Sequence, residues 1–441
     1  MKAVLLLAYE FPPLNVGGAQ RPYRFARYLR EARYHPVVVT PQAALHKRNT
    51  DADYDEARLA PEFCTILRTD LGAPRHGRLQ RSGYVSVVGD EAARWRDECI
   101  AAARVAARHH DLVAVIATVP PFSIADLGAE IAELLQLPLI LDMRDAWSQW
   151  VITPYATRLH YVLTKRREVA ALHRARRVIT TSEETRRQLL DVHRSVDPAK
   201  IVTITNSFEV SLDDAPRPPP TGPGRFTIGY VGSFYYDPYQ RNMMFAPWWR
   251  KKPHQVLQYV PRREDWLYRS PEFFFRAVAA LRGIAPETYE RLDVQFVGEV
   301  PHWLPQMIAR HGLTAKVTLV GPVPRARSLE LQREFDALLI TSSKVIGGRD
   351  YSIAGKTFEY VSIGSPIAAF VCEGAQRDLL ERTGLARICD PDDPALAVEG
   401  LRQIVEGAFI PTPNLEEIEK LSAGRCVRQL ADLIYDVEMQ G

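Results

Sequence analysis

Lys356 and Glu359, a cation and a carboxylate within one helical turn, stand in the stretch GGRDYSIAGKTFEYVSIGSP at 347–366. Residues 335–341 (FDALLIT) before them read as a short buried strand, and Phe358, Val361 and Ile363 give an apolar helical face. A strand, a glycine-flanked loop and a helix meet here. Such a junction aims backbone amides and the positive end of the helix dipole at whatever sits above it, which suits a phosphate. The expected chemistry is a diphosphate held by the helix start at Ala354, Gly355, Lys356 and Thr357, with the Glu359 carboxylate accepting two hydrogen bonds from a ribose diol. GKT before a helix also ends a Walker A loop. That motif needs a glycine where this chain has Asp350, so nucleoside triphosphate hydrolysis is set aside.

A second constellation is DMRDAW at 142–147, at the end of an apolar strand, where open α/β sheets place ligand-facing residues. Asp142 and Asp145 flank Arg144. They read either as an acid and a base orienting a substrate or as an ion pair pinning the loop. Trp147 and Trp150 read as sugar-stacking faces or as packing. A third is Gly17-Gly18, where backbone can approach a ligand or simply turn; the GxGxxG of dinucleotide folds is missing from PPLNVGGAQR. His35, His46, His110, His302 and His311 have no metal-ligand spacing, so no metal site is expected.

The elements that would position these residues alternate throughout. Strands are expected at 3–8, 36–40, 111–118, 138–142, 177–181 and 200–204, and helices after Gly18, over 123–135, over 158–175 and from an N-cap at Ser182. In the first helix, Phe25, Ala26 and Leu29 form the inward stripe, and Arg21, Arg24, Arg27 and Arg30 are expected largely off it. DDAPRPPPTGPGR at 213–225 suits neither sheet nor helix and reads as a linker. The pattern restarts with strands at 226–232, 293–297, 316–320, 335–341 and 366–371, and a closing amphipathic helix at 425–439. Between 236 and 268 lies an insertion rich in aromatics and basic groups, expected as a folded flap, an acceptor lid or a contact with anionic lipid headgroups.

Composition narrows the class. At 441 residues the chain exceeds one ordinary core, and 46% hydrophobic with 25% charged residues suits a globular protein. No run reaches the roughly 18 apolar residues of a spanning helix. The short apolar start MKAVLLLA runs into Pro-Pro without a cleavage site and reads as a first strand. Five cysteines without CxxC spacing point to a reducing cytoplasm, and a formal charge of +3 is too small to imply nucleic acid.

FPPLNVGGAQRPYRFARYL at 11–29, LDMRDAW at 141–147, TITNSFE at 203–209, GYVGSFY at 229–235 and GKTFEYVSIGSPI at 355–367, in that order, resemble the retaining family-four glycosyltransferases of the GT-B fold. The resemblance implies two Rossmann-like domains facing a cleft: an acceptor domain at 1–210, a linker at 211–225, a nucleotide-sugar domain at 226–423 and a helix at 424–441 crossing back to the first domain. It implies a nucleotide-diphosphate sugar as co-substrate, no cofactor and no obligatory metal, and an acceptor that is a saccharide, lipid-linked or a small molecule; the cysteines and the aromatic-basic insertion, which the resemblance does not cover, add the expectation of a cytoplasmic protein with a peripheral contact at the inner face of the membrane. Gly17, Gly18, Gly232, Arg241, Gly298, Tyr351, Ala354, Gly355, Lys356, Thr357 and Glu359 would bind the donor. Arg144, Asp145 and Asp350 would carry the chemistry. The family's first glutamate falls on Tyr351, with Asp350 beside it, so one of these two would meet the donor sugar. The other readings are a non-catalytic nucleotide-sugar-binding protein and a sugar-nucleotide epimerase on the same architecture.

Overall fold

A computed structural model describes residues 1–14, 16–45, 63–72, 90–149, 154–209 and 224–440. Trp150, His46 and most of the expected linker, 211–223, lie outside the described residues. The chain divides into two compact units, one of residues 1–207, 252–261 and 423–441, the other of residues 208–251 and 262–422.

The first unit holds β1 (Ala3–Leu7), β2 (His35–Pro41), β3 (Thr65–Thr69), β4 (Leu112–Val119), β5 (Leu139–Met143), β6 (Arg177–Thr180) and β7 (Ile201–Thr203). They form one parallel sheet in the order β3-β2-β1-β4-β5-β6-β7. The central strands read as near-continuous apolar runs because helices cover both faces. Leu5 and Leu7 pack into one core with Val115 and Leu141, whereas Val4 and Leu6 pack into the opposite one with Ile116 and Ile140. The helix Ala423–Met439 completes that second core with Val427, Leu430, Ile434 and Val437. Each such buried side chain is worth roughly 1.5–3 kcal/mol of transfer free energy, so this helix is part of the first unit's core despite closing the chain.

The region expected as one insertion is divided. Residues 252–261 join the first unit, where Tyr155 and Tyr259 exchange two backbone hydrogen bonds of 2.9 Å and the Tyr161 ring lies 4.8 Å from that of Tyr259.

The second unit contains β8 (Phe226–Val231), β9 (Glu264–Asp265), β10 (Leu292–Val297), β11 (Val317–Gly321), β12 (Ala337–Thr341), β13 (Lys344–Val345), β14 (Ile367–Phe370) and β15 (Ala386–Ile388). Six form a parallel sheet in the order β11-β10-β8-β12-β14-β15, while β9 and β13 pair as a short antiparallel ribbon. From β8 the chain winds outward through β10 and β11, then returns to place β12 against the other side of β8. The carboxyl ends of β8 and β12 therefore flank a topological switch point, where open α/β sheets bind ligands. Among the described residues, no helix is long and apolar enough to cross a membrane.

Candidate functional site

At that switch point the turns are closed by glycine for a physical reason. β8 runs into Gly232 at φ +115° and β10 into Gly298 at φ +136°. A Cβ on Gly232 would stand 2.9 Å from Lys356 Nζ, and one on Gly298 would stand 2.6 Å from the Gly232 carbonyl oxygen. The positive φ demands glycine at both positions, and at Gly298 the neighbouring backbone leaves no room for a Cβ either. The result is a strand end with bare backbone facing a lysine.

The helix Gly355–Ile363 carries Lys356 in its first turn, with no acidic residue there and no side-chain cap from Ala354. Its leading amides and the ammonium thus lie at one end of the same element, an anion-binding arrangement. The Lys356 ammonium is sealed from solvent, 3.5 Å from the Tyr230 ring centroid, and makes no hydrogen bond among the described residues. Burial pushes its pKa down to about 7, against the opposing pull of the Glu359 carboxylate. An amine held this way would gain from an anion placed beside it.

Two residues that carried no sequence signal hold the helix in place. Gln376 accepts from the Ala354 amide at 2.8 Å and donates to the Thr341 carbonyl at 2.9 Å, tying the helix start to β12. The Tyr360 hydroxyl accepts from the Val231 amide at 2.9 Å, tying the same helix to β8. Glu359 accepts from Arg325 at 3.1 Å and from Gln332 at 3.4 Å, both on the helix Arg325–Glu334. Arg325 comes from 34 residues away, so the sequence around Glu359 does not disclose this pairing.

The loop before the helix departs from expectation. The Asp350 carboxylate is fully buried and accepts from the Ser343 amide at 3.2 Å, the Ser352 amide at 3.1 Å and the Ser352 hydroxyl at 2.9 Å. Its backbone lies so close to Gly374 that a Cβ there would stand 2.2 Å from the Asp350 carbonyl oxygen. Asp350 is thus built as an anchor of the loop, with its lone pairs occupied, and not as a free acid or base. Tyr351 is also buried, with the Arg262 guanidinium 3.8 Å above its ring. Arg241 donates to both oxygens of Asp265 at 2.5 and 2.6 Å, so its guanidinium is held away from the donor role expected of it. Arg269 donates to Ser352 at 3.0 Å and stands beside the loop.

In the first unit, Gly17 and Gly18 open the helix Gly17–Tyr28. A Cβ on Gly17 would meet open space, but one on Gly18 would fall 1.7 Å from Glu10 Oε2 and 2.4 Å from an Arg144 nitrogen. Gly18 therefore makes room for the protein's own Glu10 and Arg144. Arg144 donates to the carbonyls of Gly18 at 2.6 Å, Val119 at 3.2 Å and Pro120, which makes it a clamp of two loops. Asp145 beside it is half-buried. Asp142 is ion-paired, accepting from Arg21 at 2.8 and 3.0 Å and from Thr118 at 2.8 Å, and Arg144 stands 3.6 Å from the Glu10 carboxylate. Arg21 and Arg24 are correspondingly buried, contrary to the outward placement expected of them. Trp147 stacks on Phe122 at 5.5 Å with planes 5° apart, so that face is taken by packing. Buried Glu168, which the sequence did not single out, accepts from the amides of Trp147 at 3.0 Å and Ser148 at 3.2 Å and lies 2.7 Å from the His193 ring nitrogen. It fixes the loop that follows the motif.

Residues 16–207 match the family description "Glycosyl transferase 4-like domain". Solved structures extend the likeness to both units. Sucrose-phosphate synthase from Thermosynechococcus elongatus aligns over 100% of this chain and 100% of its own at TM-score 0.64 and 13% identity. An α,α-trehalose-phosphate synthase (UDP-forming) from Burkholderia vietnamiensis aligns over 99% and 100% at TM-score 0.58 and 12% identity. The Anabaena protein HepE, solved in complex with UDP-glucose, aligns over 98% and 99% at TM-score 0.56 and 14% identity. No curated protein sequence matches the chain. The fold is GT-B, as the motif order implied, with the closing helix packed in the first unit.

Proposed function

We propose that this protein is a retaining glycosyltransferase that moves a hexose-like sugar from a nucleotide-diphosphate donor to an acceptor hydroxyl. The observation that carries the reading is the Lys356 ammonium, buried without a hydrogen-bond partner among the described residues, at a glycine-lined strand end and an uncapped helix start. A diphosphate supplies the missing anion. The amides of Gly355 and Lys356 and the ammonium would neutralise the charge that grows on the leaving group, which is electrostatic stabilisation in a preorganised site. Glu359 would hold the ribose, exchanging its bond from Gln332 for a diol. Asp350 acts by positioning the loop, and Asp145 remains the candidate acid or base on the first unit. The retaining outcome rests on the resemblance of the motifs to the retaining family, and the donor class on the site and on HepE's UDP-glucose complex.

Two outcomes follow. Glu359→Ala should weaken nucleotide-sugar affinity by about tenfold, the scale of one or two hydrogen bonds to a charged group, with titration calorimetry as the readout. Unchanged affinity would remove Glu359 from the site. Because Lys356 and the helix amides supply the positive potential, turnover should be unaffected by EDTA. A rate restored only by an added divalent ion would refute that part.

A further inference from the structure

The insertion carries a surface that the donor site does not use. From Pro238 to Arg263 there is no aspartate or glutamate, while Arg241, Arg250, Lys251, Lys252, Arg262 and Arg263 are all cationic. Arg241 is taken by Asp265, but the run Arg250-Lys251-Lys252 follows directly on Trp248-Trp249. Both indoles face solvent, at 69% and 68% exposure, and Tyr239 on the preceding helix Pro238–Phe245 is 62% exposed. A single tight turn presents them. The Arg250 amide donates to the Pro247 carbonyl at 3.0 Å and the Lys251 amide to the Trp248 carbonyl at 3.1 Å, and the two indoles stand edge to face 5.9 Å apart.

Adjacent solvent-facing tryptophans leave a large apolar area in water, which is uncommon without an occupant. Indole partitions to the boundary between lipid headgroups and acyl chains because its body is apolar and its N–H is polar. Adjacent lysines and arginines are drawn to an anionic leaflet. We propose that the segment 239–252 is an interfacial anchor that docks this protein on an anionic lipid bilayer, with Trp248 and Trp249 inserted and Arg250, Lys251 and Lys252 at the headgroups. The absence of any carboxylate along 26 residues favours this occupant over a second copy of the chain, whose matching turn would repel it.

The test is co-sedimentation of the full chain with phosphatidylcholine vesicles and with vesicles mixing phosphatidylcholine and phosphatidylglycerol. Three cations at the surface predict binding to the mixed vesicles on the order of 100-fold tighter, and release by high salt. Trp248→Ala/Trp249→Ala should cut partitioning at least roughly tenfold. Arg250→Glu/Lys251→Glu/Lys252→Glu should abolish the preference for phosphatidylglycerol, with circular dichroism and nucleotide-sugar affinity unchanged in both variants. Equal binding to the two vesicle types, no binding to either, or wild-type partitioning of the tryptophan variant would overturn the proposal. So would concentration-dependent self-association in ultracentrifugation that the tryptophan variant loses, since the face would then belong to a second copy. Vesicle binding does not depend on turnover, so this inference and the transferase reading fail separately.

Discussion

Replacing Lys356 by methionine should weaken nucleotide-sugar affinity by roughly 10- to 100-fold, the range expected when a charge-assisted hydrogen bond is removed from a desolvated site. The same substitution should leave the fold intact or make it more stable, because the wild-type ammonium is buried without a hydrogen-bond partner among the described residues. The sign follows from its pKa, lowered from 10.5 to about 7 by burial. Between these values the unfolded chain holds a proton that the folded chain releases, so wild-type stability rises with pH across that window. The penalty is full below about pH 7, and there methionine should help most. Affinity has the opposite dependence. A bound diphosphate requires the charged amine, so donor affinity should be flat below about pH 7 and fall by up to tenfold per pH unit above it. Calorimetry at several pH values in buffers of different ionisation enthalpy would register the proton taken up, and Lys356→Met should abolish that uptake. A wild-type affinity that rises with pH would contradict the assignment.

Asp142→Ala should be the more damaging change to the fold. It strands the Arg21 guanidinium, 4% exposed, which would keep bonds to the carbonyls of Thr205 at 2.7 Å and Ile204 at 3.0 Å but no carboxylate. Breaking one side of a buried pair costs about 3–5 kcal/mol, whereas replacing both partners by apolar groups is often close to neutral. The double variant Arg21→Met/Asp142→Leu should therefore regain most of the stability that the single change removes, as read from chemical denaturation. Equal destabilisation of single and double variants would mean that the pair is not coupled.

These residues also mark where the sequence was legible. Apart from β3 and β15, the strands of both sheets lie within a residue or two of their expected places because their apolar runs leave little choice of element. The glycine-closed turns and the helix at Gly355 were readable for a similar reason, since local backbone chemistry specifies them. β3, with its polar sequence TILRT, offered no such run. What escaped was pairing over long distances. Arg21 and Asp142 are 121 positions apart, Arg325 and Glu359 are 34 apart, and Arg241 meets Asp265 only because the insertion folds back on itself. A charge reads as solvent-facing or functional until its partner is located, and Asp350, Arg144 and Arg241 all changed character once theirs were. Lys356 changed in the other direction, because its local sequence could not disclose that the ammonium is buried over Tyr230.

Sugar transfer from a nucleotide donor bound at the Lys356 helix start can be read out in solution. The direct measurement is nucleotide release from a panel of nucleotide-diphosphate sugars, with and without a panel of acceptor alcohols, followed by NMR of the product's anomeric centre. Release that depends on acceptor, retention of the donor's anomeric configuration, and slower release at sub-saturating donor in Lys356→Met and Glu359→Ala are the expected results. Inverted product would contradict the retaining mechanism. Tight donor binding without release for any acceptor, or an epimerised nucleotide sugar accumulating without one, would contradict the transferase itself.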